Sequence, residues 1–230
     1  MLSNSTGKLI FDSISDYIVL DLETTGINTQ EDDVIEISAL KVIGGKVKEE
    51  FSTLVNPGRH IEDVIVDITG ITDSMVKDSP CFEDALKDFQ QFAGDMVIIG
   101  QNVKMFDLKF INRECQRFWG KVTGNDYEDT LIIARIFLPG LESHGLGALS
   151  SYYGISTEGA HRSLNDCYMT YNVYEHLKKE MAAPSPDVLK VKRCPRCGNT
   201  LKKRAGKFGE FYRCRSFPDC RYTEEIMKER

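Results

Sequence analysis

Two carboxylates stand two residues apart beside an apolar stretch near the start of the chain. Residues 18–20 form a run typical of a buried strand, and Asp21 and Glu23 follow it. Residues i and i+2 of a strand point to the same face, so these carboxylates would lie about 7 Å apart on one side. Buried like charges cost several kcal/mol unless a cation or hydrogen bonds compensate for them. The alternative is a strand that ends in solvent and leaves both acids exposed.

Two more acids and a histidine stand where such a set could be completed. Asp107 follows a predicted strand at 96–100, and α/β proteins place their sites at the carboxyl ends of strands. Asp166 lies on a predicted helix, and His161 precedes it by five residues in a glycine-containing loop. The individual alternatives are a helix N-cap for Asp107 and plain surface positions for Asp166 and His161. Together with the first pair they suit phosphodiester hydrolysis assisted by two Mg²⁺ or Mn²⁺ ions, because these cations prefer hard oxygen ligands.

Four cysteines in the last part of the chain have the spacing of a zinc site. The pattern is Cys-x2-Cys, sixteen residues, then Cys-x5-Cys. Two close pairs separated by the length of a β-hairpin build a tetrahedral thiolate site, and so short a segment needs a metal to fold. The alternatives are disulfides or reactive thiols, and both are disfavoured in the reducing environment of the cytosol. The predicted zinc ligands are Cys194, Cys197, Cys214 and Cys220, and Cys81, Cys115 and Cys167 are predicted to be core thiols.

Charge is divided unevenly along the chain. Residues 1–183 contain 16 lysines and arginines against 29 acids, whereas residues 184–230 contain 13 against 6. A basic segment next to an acidic domain indicates contact with a polyanion, provided that bound cations neutralise the acidic surface that meets the polyanion. Aromatic residues alternate with the cations, as in surfaces that bind single strands, although at least two are expected in the small core. These aromatics are Phe208, Phe211, Tyr212, Phe217 and Tyr222, and the predicted phosphate contacts are Arg196 and Arg221.

The elements that must position these residues predict an α/β domain with a mixed sheet. An antiparallel meander comes first, and Asp129 is interpreted as the cap of a later helix and not as a metal ligand. Residues 67–72 are interpreted as a turn and a helix start. Strands are predicted at 18–20, 34–40, 46–54 and 96–100, and helices at 82–92, 106–119, 131–137, 146–153 and 164–181.

The 230 residues have an ordinary composition for a soluble protein, with 41% hydrophobic and 28% charged residues. No run is long enough to cross a bilayer and no secretory signal is recognisable, so a cytoplasmic location is predicted. The predicted organisation is a lead at 1–14, an α/β domain at 15–181 that carries the carboxylate set, a linker at 182–190 and a zinc-binding domain at 191–230.

Three short motifs resemble those of the DEDDh 3′–5′ exonucleases: DLETTG at 21–26, Asn102 with Phe106 and Asp107, and HRSLND at 161–166. Over residues 15–180 the chain is most similar to the proofreading epsilon subunits of DNA polymerase III, although Gln101 stands where many relatives have histidine. The resemblance implies a ribonuclease H-like fold and two catalytic ions held by Asp21, Glu23, Asp107 and Asp166. It also implies His161 as general base and a 3′-terminal nucleotide bound by Leu22, Thr24, Thr25, Asn102 and Phe106.

The cysteine segment has its own resemblance. CPRCG at 194–198, GKFGEF at 206–211 and FPDCRY at 217–222 are similar to the zinc ribbons of type IA topoisomerases, which bind single-stranded DNA. The combined prediction is a metal-dependent exonuclease that releases nucleoside 5′-monophosphates from single strands, with DNA as the favoured substrate and a DNA polymerase or another replication or repair protein as a possible partner. Trimming of RNA 3′ ends and a catalytically vestigial accessory subunit stay open as alternatives.

Overall fold

The computed structural model describes residues 2–207 and 209–226. Ten strands and eight helices succeed one another in these residues. The strands are β1 (Leu2–Ser3), β2 (Tyr17–Thr24), β3 (Val34–Ile43), β4 (Lys46–Leu54), β5 (Val97–Gly100), β6 (Val122–Thr123), β7 (Tyr127–Asp129), β8 (Leu201–Gly206), β9 (Gly209–Cys214) and β10 (Thr223–Glu225). The helices are α1 (Asp63–Thr69), α2 (Asp73–Val76), α3 (Phe82–Ala93), α4 (Asp107–Trp119), α5 (Thr130–Phe137), α6 (Leu146–Tyr153), α7 (Ser163–Ala182) and the 3₁₀ helix α8 (Pro186–Lys190).

A five-stranded mixed sheet in the order β4-β3-β2-β5-β7 carries the larger domain. β2, β3 and β4 form the predicted antiparallel meander, whereas β5 and β7 run parallel to β2 and to each other. The α/β fold class with a mixed sheet is therefore confirmed. The carboxyl ends of β2, β5 and β7 meet at one edge of the sheet, which is where α/β proteins place their sites.

Alternation along β2 distributes its side chains between the two faces of the sheet. Ile18, Leu20 and Leu22 pack with α3 and α4 on one face. Tyr17 and Val19 pack with α5, α6 and α7 on the other. Asp21 and Glu23 have the parity of this second pair, so the pleat directs both carboxylates to the side that α7 covers. This alternation explains why both carboxylates of β2 point towards helix α7.

Two local predictions are corrected by the structure. The helix start predicted within 67–72 is that of α2, whose N-cap is Thr72, but the first half of this segment belongs to α1. Gly70 ends α1 in the left-handed conformation at φ 71°. Its β-branched sequence lacks the apolar spacing of a core-facing helix, since Val64 and Ile68 are exposed. Cys81 is also exposed, next to the start of α3, whereas Cys115 and Cys167 are buried as predicted.

The predicted lead, residues 1–14, contributes to the sheet in its described part. The Tyr127 amide donates to the Lys8 carbonyl at 2.9 Å, and the Ile10 amide donates to the Tyr127 carbonyl at 3.0 Å. These bonds cover the outer edge of β7, which would otherwise expose unpaired backbone groups.

The second, smaller domain is a three-stranded antiparallel sheet in the order β10-β9-β8. It contacts the larger domain through an ion pair of 3.0 Å between Lys109 and Asp219 and through the Arg193 guanidinium, 4.4 Å from the ring centre of Phe11. Within the described residues, no helix is long and apolar enough to span a membrane.

Candidate active site

Three of the predicted metal ligands lie together at the carboxyl-terminal end of β2. Asp21 and Glu23 come from one face of this strand, and Asp166 comes from the first turn of α7, which covers that face. One carboxylate oxygen from each lies within 4.8 Å of the others. The spacing suits one shared cation, because Mg²⁺ and Mn²⁺ take oxygen ligands on several sides at once.

Asp107 lies at the same edge but outside this group of three. It is the first residue of α4, only 3% of its surface is exposed, and its carboxylate accepts the Leu22 amide at 3.1 Å. The predicted alternative for Asp107, an N-cap, is therefore not its position, since Phe106 occupies the N-cap. The bond to Leu22 places the Asp107 carboxylate beside the backbone between Asp21 and Glu23.

Mutual repulsion and burial perturb all four carboxylates. Burial raises the pKa of Asp21 well above its usual range, and the charges of Asp107, Asp166 and Glu23 raise it further. Burial, with Asp166 as the next cause, raises the pKa of Glu23 to about 7. The pKa values of Asp107 and Asp166 are raised mainly by burial. Bringing several acids together in this way is unfavourable without a cation, so the donor set fits divalent metal ions.

His161 lies in the exposed loop that leads into α7. Its backbone has φ 68°, and its amide donates to the Asp166 carboxylate at 3.3 Å. The loop is closed by the Asn165 side chain, which donates to the Gly159 carbonyl at 2.8 Å. Gly159 has φ 75°, a left-handed conformation that favours glycine, and a methyl group there would lie 2.3 Å from that same side chain. The loop thus ties the predicted general base to one of the predicted metal ligands.

Sequence reasoning missed an ion pair beside the carboxylates, in which the acid is buried and the arginine side chain is 44% exposed. Glu36 on β3 is opposite Glu23 on β2 and is 2% exposed. It accepts Arg162 at 2.8 and 3.3 Å and the Ser163 amide at 3.1 Å. An acid inside the apolar strand at 34–40 was the available signal. The pair anchors the residue that follows His161 to the sheet, so it fixes the end of the loop where α7 begins.

The other residues predicted to contact the nucleotide lie around this edge of the sheet, and each has its own contacts within the protein. Leu22 is buried, and the Thr24 hydroxyl donates to the Gly26 carbonyl at 2.6 Å. The Thr25 hydroxyl accepts Arg59 at 2.6 Å. Their contacts with a nucleotide stay predictions, as do those of the two remaining residues. Asn102 has φ 61° and follows β5, and Phe106 packs on Phe110 with 5.2 Å between ring centres.

Asp129 is a helix cap, as the sequence indicated. Its carboxylate accepts the amides of Leu131 and Ile132 at the start of α5. It also accepts the Asn102 and Lys104 amides at 3.1 and 3.3 Å, which fixes the turn after β5. All of these bonds come from backbone amides, so Asp129 stabilises the turn after β5 and the start of α5 that surround the site.

The four predicted zinc ligands converge in the smaller domain. The Sγ atoms of Cys194 and Cys220 are 3.6 Å apart, and those of Cys197 and Cys214 are 3.4 Å apart. These distances exclude disulfides, whose sulfurs are about 2 Å apart. They fit a tetrahedron of thiolates, since Zn–S bonds of about 2.3 Å place ligand sulfurs about 3.8 Å apart.

Two aromatics of this domain pack against the cysteine cluster, Tyr212 and Tyr222, as expected for at least two of them. The exposed Arg196 lies 5.8 Å from the ring centre of Tyr222, and Arg221 is also exposed. Phe217 is exposed and Phe211 half-buried, whereas Phe208 lies outside the described residues. Phosphate contacts by Arg196 and Arg221 stay predictions.

The chain is similar to known exonucleases over most of its length. The family described as "Exonuclease" (RNase_T) matches residues 18–174, and "Topoisomerase DNA binding C4 zinc finger" matches residues 191–229. The DNA polymerase III subunit epsilon of Aquifex aeolicus is 37% identical over 165 residues, covering 72% of this chain and 81% of the relative. The PolC-type DNA polymerase III of Oceanobacillus iheyensis is 36% identical, but the chain spans only 11% of that relative.

Solved structures agree with these relatives. A structure of Exonuclease X in complex with 5′ overhanging duplex DNA superposes with a TM-score of 0.57 and 26% identity, covering 72% of this chain and 91% of that one. The zinc-bound E. coli ExoI–ssDNA complex shares the fold, with a TM-score of 0.64 and 20% identity over 74% of this chain and 41% of the other. With the carboxylate cluster, these likenesses show that the chain belongs to the RNase_T exonuclease family and is a 3′–5′ exonuclease with a ribonuclease H-like fold.

Proposed function

We propose that the protein removes nucleoside 5′-monophosphates one at a time from the 3′ end of single-stranded DNA. The observation that carries this proposal is the group of Asp21, Glu23 and Asp166, whose oxygens lie within 4.8 Å of one another. Asp107, bonded to the backbone between the first two, completes the set of ligands for two divalent ions. When bound, such ions supply Lewis acidity and lower the pKa of water.

The chain's own residues provide the remaining chemistry. His161 is exposed next to this group and takes the proton of the attacking water, a task that suits an imidazole near neutral pH. Its amide bond to Asp166 and the Glu36–Arg162 ion pair position the loop. Thr24 and Thr25 hold the backbone at the end of β2, where the terminal sugar and phosphate are bound. Phe106 offers a ring on which the terminal base stacks.

The zinc ribbon is proposed to bind the single strand. Its similarity to topoisomerase DNA-binding zinc fingers and the excess of 13 cations over 6 acids in residues 184–230 both support this role. DNA polymerase III subunits among the relatives support DNA as the substrate and a polymerase as a partner. A cytoplasmic location agrees with such a partner.

A degradation assay tests the proposal. End-labelled DNA and RNA of the same sequence are incubated with Mn²⁺ or with EDTA, and products are separated by size. We expect stepwise loss of mononucleotides from DNA 3′ ends, no reaction with EDTA, and none with Asp21→Asn at the same protein concentration. Faster removal from RNA would favour the alternative of RNA 3′-end trimming. Intact strands of both kinds in Mn²⁺ would favour an accessory subunit without activity.

A further inference from the structure

A cleft of about 720 Å³ separates the exonuclease domain from the zinc ribbon. One wall consists of α5 and the loop between α5 and α6, and the other consists of β8, β9 and the residue that follows β9. Its inner end reaches Gln101 and Asn102, which follow β5 at the edge where the carboxylates lie. Anything bound along the cleft therefore leads from the ribbon to the active site.

Cations dominate the lining of this cleft. Five are present against a single acid, Glu142. Two of the lysines are neutralised, since Lys190 pairs with Asp187 and Lys192 pairs with Glu224. The other three cations form no ion pair with any residue of the described ranges, 2–207 and 209–226. They are Arg135 from α5, Lys202 from β8 and Arg215 after β9.

The two arginines belong to opposite walls and repel each other. Burial lowers the pKa of Arg135, and the charge of Arg215 lowers it further. The pKa of Arg215 is also lowered by burial, with the charge of Arg204 as the second cause. Like charges held together across a domain contact are unfavourable unless an anion lies between them. Guanidinium groups bind phosphate well because their planar donors match its oxygens.

The wall beside the arginines is held firmly in place. Gln101, where many relatives carry histidine, accepts the Thr130 hydroxyl at 2.6 Å and donates to the His144 carbonyl at 2.8 Å. The His144 ring in turn bonds the Leu138 carbonyl at 2.9 Å. The loop from α5 to α6 is thereby fixed to the end of β5, so the cleft is already formed without a ligand. A preformed site loses less entropy when it binds.

We propose that this interdomain cleft binds the sugar-phosphate backbone of the single strand behind its 3′ end, with Arg135, Lys202 and Arg215 contacting phosphates. This inference rests on the proposed function and extends it, because it assigns the path between the ribbon and the carboxylates. Contact with the phosphates and not the bases makes the binding independent of sequence. It also allows an acidic exonuclease domain to hold a polyanion.

The salt dependence of binding tests the cleft without any hydrolysis. Binding of a fluorescent oligothymidylate is measured by anisotropy over a range of salt concentrations, in buffer without Mg²⁺ or Mn²⁺ and without a chelator, so that the structural zinc stays in place. Each phosphate contact in single strands makes the negative slope of log K against log salt steeper by about 0.7. The double variant Arg135→Gln with Arg215→Gln is therefore expected to reduce the magnitude of the slope by about 1.4. Between 50 and 200 mM salt, the variant then loses about seven-fold less affinity than the wild type.

The control removes two lysines from the opposite edge of the sheet. Lys46→Gln with Lys48→Gln on β4 makes the same change in net charge and is expected to keep the wild-type slope. Zinc content and thermal melting show whether the arginine variant is folded. Lys202→Gln, at an exposed position, gives a second measurement with an expected decrease of about 0.7.

Two results would overturn the inference. One is an unchanged slope in both cleft variants, and the other is an equal decrease in the lysine control. Hydrolysis of the p-nitrophenyl ester of thymidine 5′-monophosphate by the wild type tests the carboxylate site separately. Normal hydrolysis together with unchanged slopes rejects the cleft and keeps the exonuclease function. No hydrolysis together with lowered slopes rejects the single-strand exonuclease and keeps the cleft.

Discussion

Glu23→Gln is expected to stabilise the metal-free protein while abolishing hydrolysis. Glu23 is opposite Glu36 in the sheet and shares a group of close carboxylates with Asp21 and Asp166. Its pKa rises from 4.5 to about 7 in the folded protein, first through burial and then through Asp166 and Glu36. The folded state therefore binds this proton more tightly than the unfolded chain does. By linkage, stability falls as pH rises from about 4.5 to about 7 and stays low above that range.

The size of the effect follows from the shift. A change of about 2.5 pKa units corresponds to about 3 kcal/mol, and the partial exposure of Glu23 reduces it to about 1–2 kcal/mol. Glutamine has the same shape and no charge, so the variant is expected to gain that amount at pH 8. For a chain of this size the midpoint of thermal unfolding then rises by about 2–8 °C.

Thermal unfolding at pH 5 and at pH 8, in buffer without Mg²⁺ or Mn²⁺ and without a chelator, measures this gain. Glu49→Gln on β4 is the matched control. The Glu49 side chain is 60% exposed and forms a surface ion pair with Lys41 at 3.4 Å, so its loss should change stability by less than about 1 kcal/mol at either pH. Saturating Mn²⁺ should reverse the order, since a ligand at about 100 times its dissociation constant adds about 2.7 kcal/mol to the wild type. Equal or lower stability of Glu23→Gln at pH 8 without Mg²⁺ or Mn²⁺ would refute the account of the site as a repulsive cluster that cations relieve.

Three further changes test other parts of the molecule. His161→Ala should keep the melting temperature and the Mn²⁺ affinity measured by calorimetry while single-turnover hydrolysis falls by about 10²–10⁴-fold, and wild-type rates would remove His161 from the mechanism. Glu36→Gln should destabilise the fold by about 2 kcal/mol in urea titrations, because Arg162 and the Ser163 amide lose a charged acceptor. Cys214→Ala should lower the zinc measured by atomic absorption from one ion per chain, and an unchanged content would exclude a four-cysteine site.

Much of the architecture could be predicted because local pattern and packing agree. The antiparallel meander, the strand β5 and the cap at Asp129 follow from apolar runs, turns and a familiar start to a helix. α1 was missed because its β-branched residues are half-exposed and show no amphipathic spacing. Cys81 was assigned to the core because its position was interpreted as helical or apolar, although it precedes the first turn of α3 on the surface.

The candidate site shows the same division between local and long-range information. Asp21 and Glu23 could be paired from a two-residue spacing, and the motifs indicated Asp107 and Asp166. The Glu36–Arg162 pair joins residues 126 positions apart, so only the folded chain reveals it. The cleft cations Arg135 and Arg215 likewise come from separate domains, and no spacing in the sequence brings them together.

The surface on which the zinc ribbon packs has a consequence for the order in which the parts of the protein fold. The ribbon rests on residues 9–11, since Arg193 stacks on Phe11 and a methyl group on Gly198 would lie 3.5 Å from both Leu9 and Phe11. A ribosome synthesises residues 9–11 before any strand of the five-stranded sheet, and it synthesises the ribbon after all of these strands. The sheet edge can therefore recruit residues 8–10 early, while docking of the ribbon waits for synthesis to pass residue 220 and for zinc to be captured. An exonuclease domain that is already folded would thus emerge some time before the surface that we propose to guide its substrate.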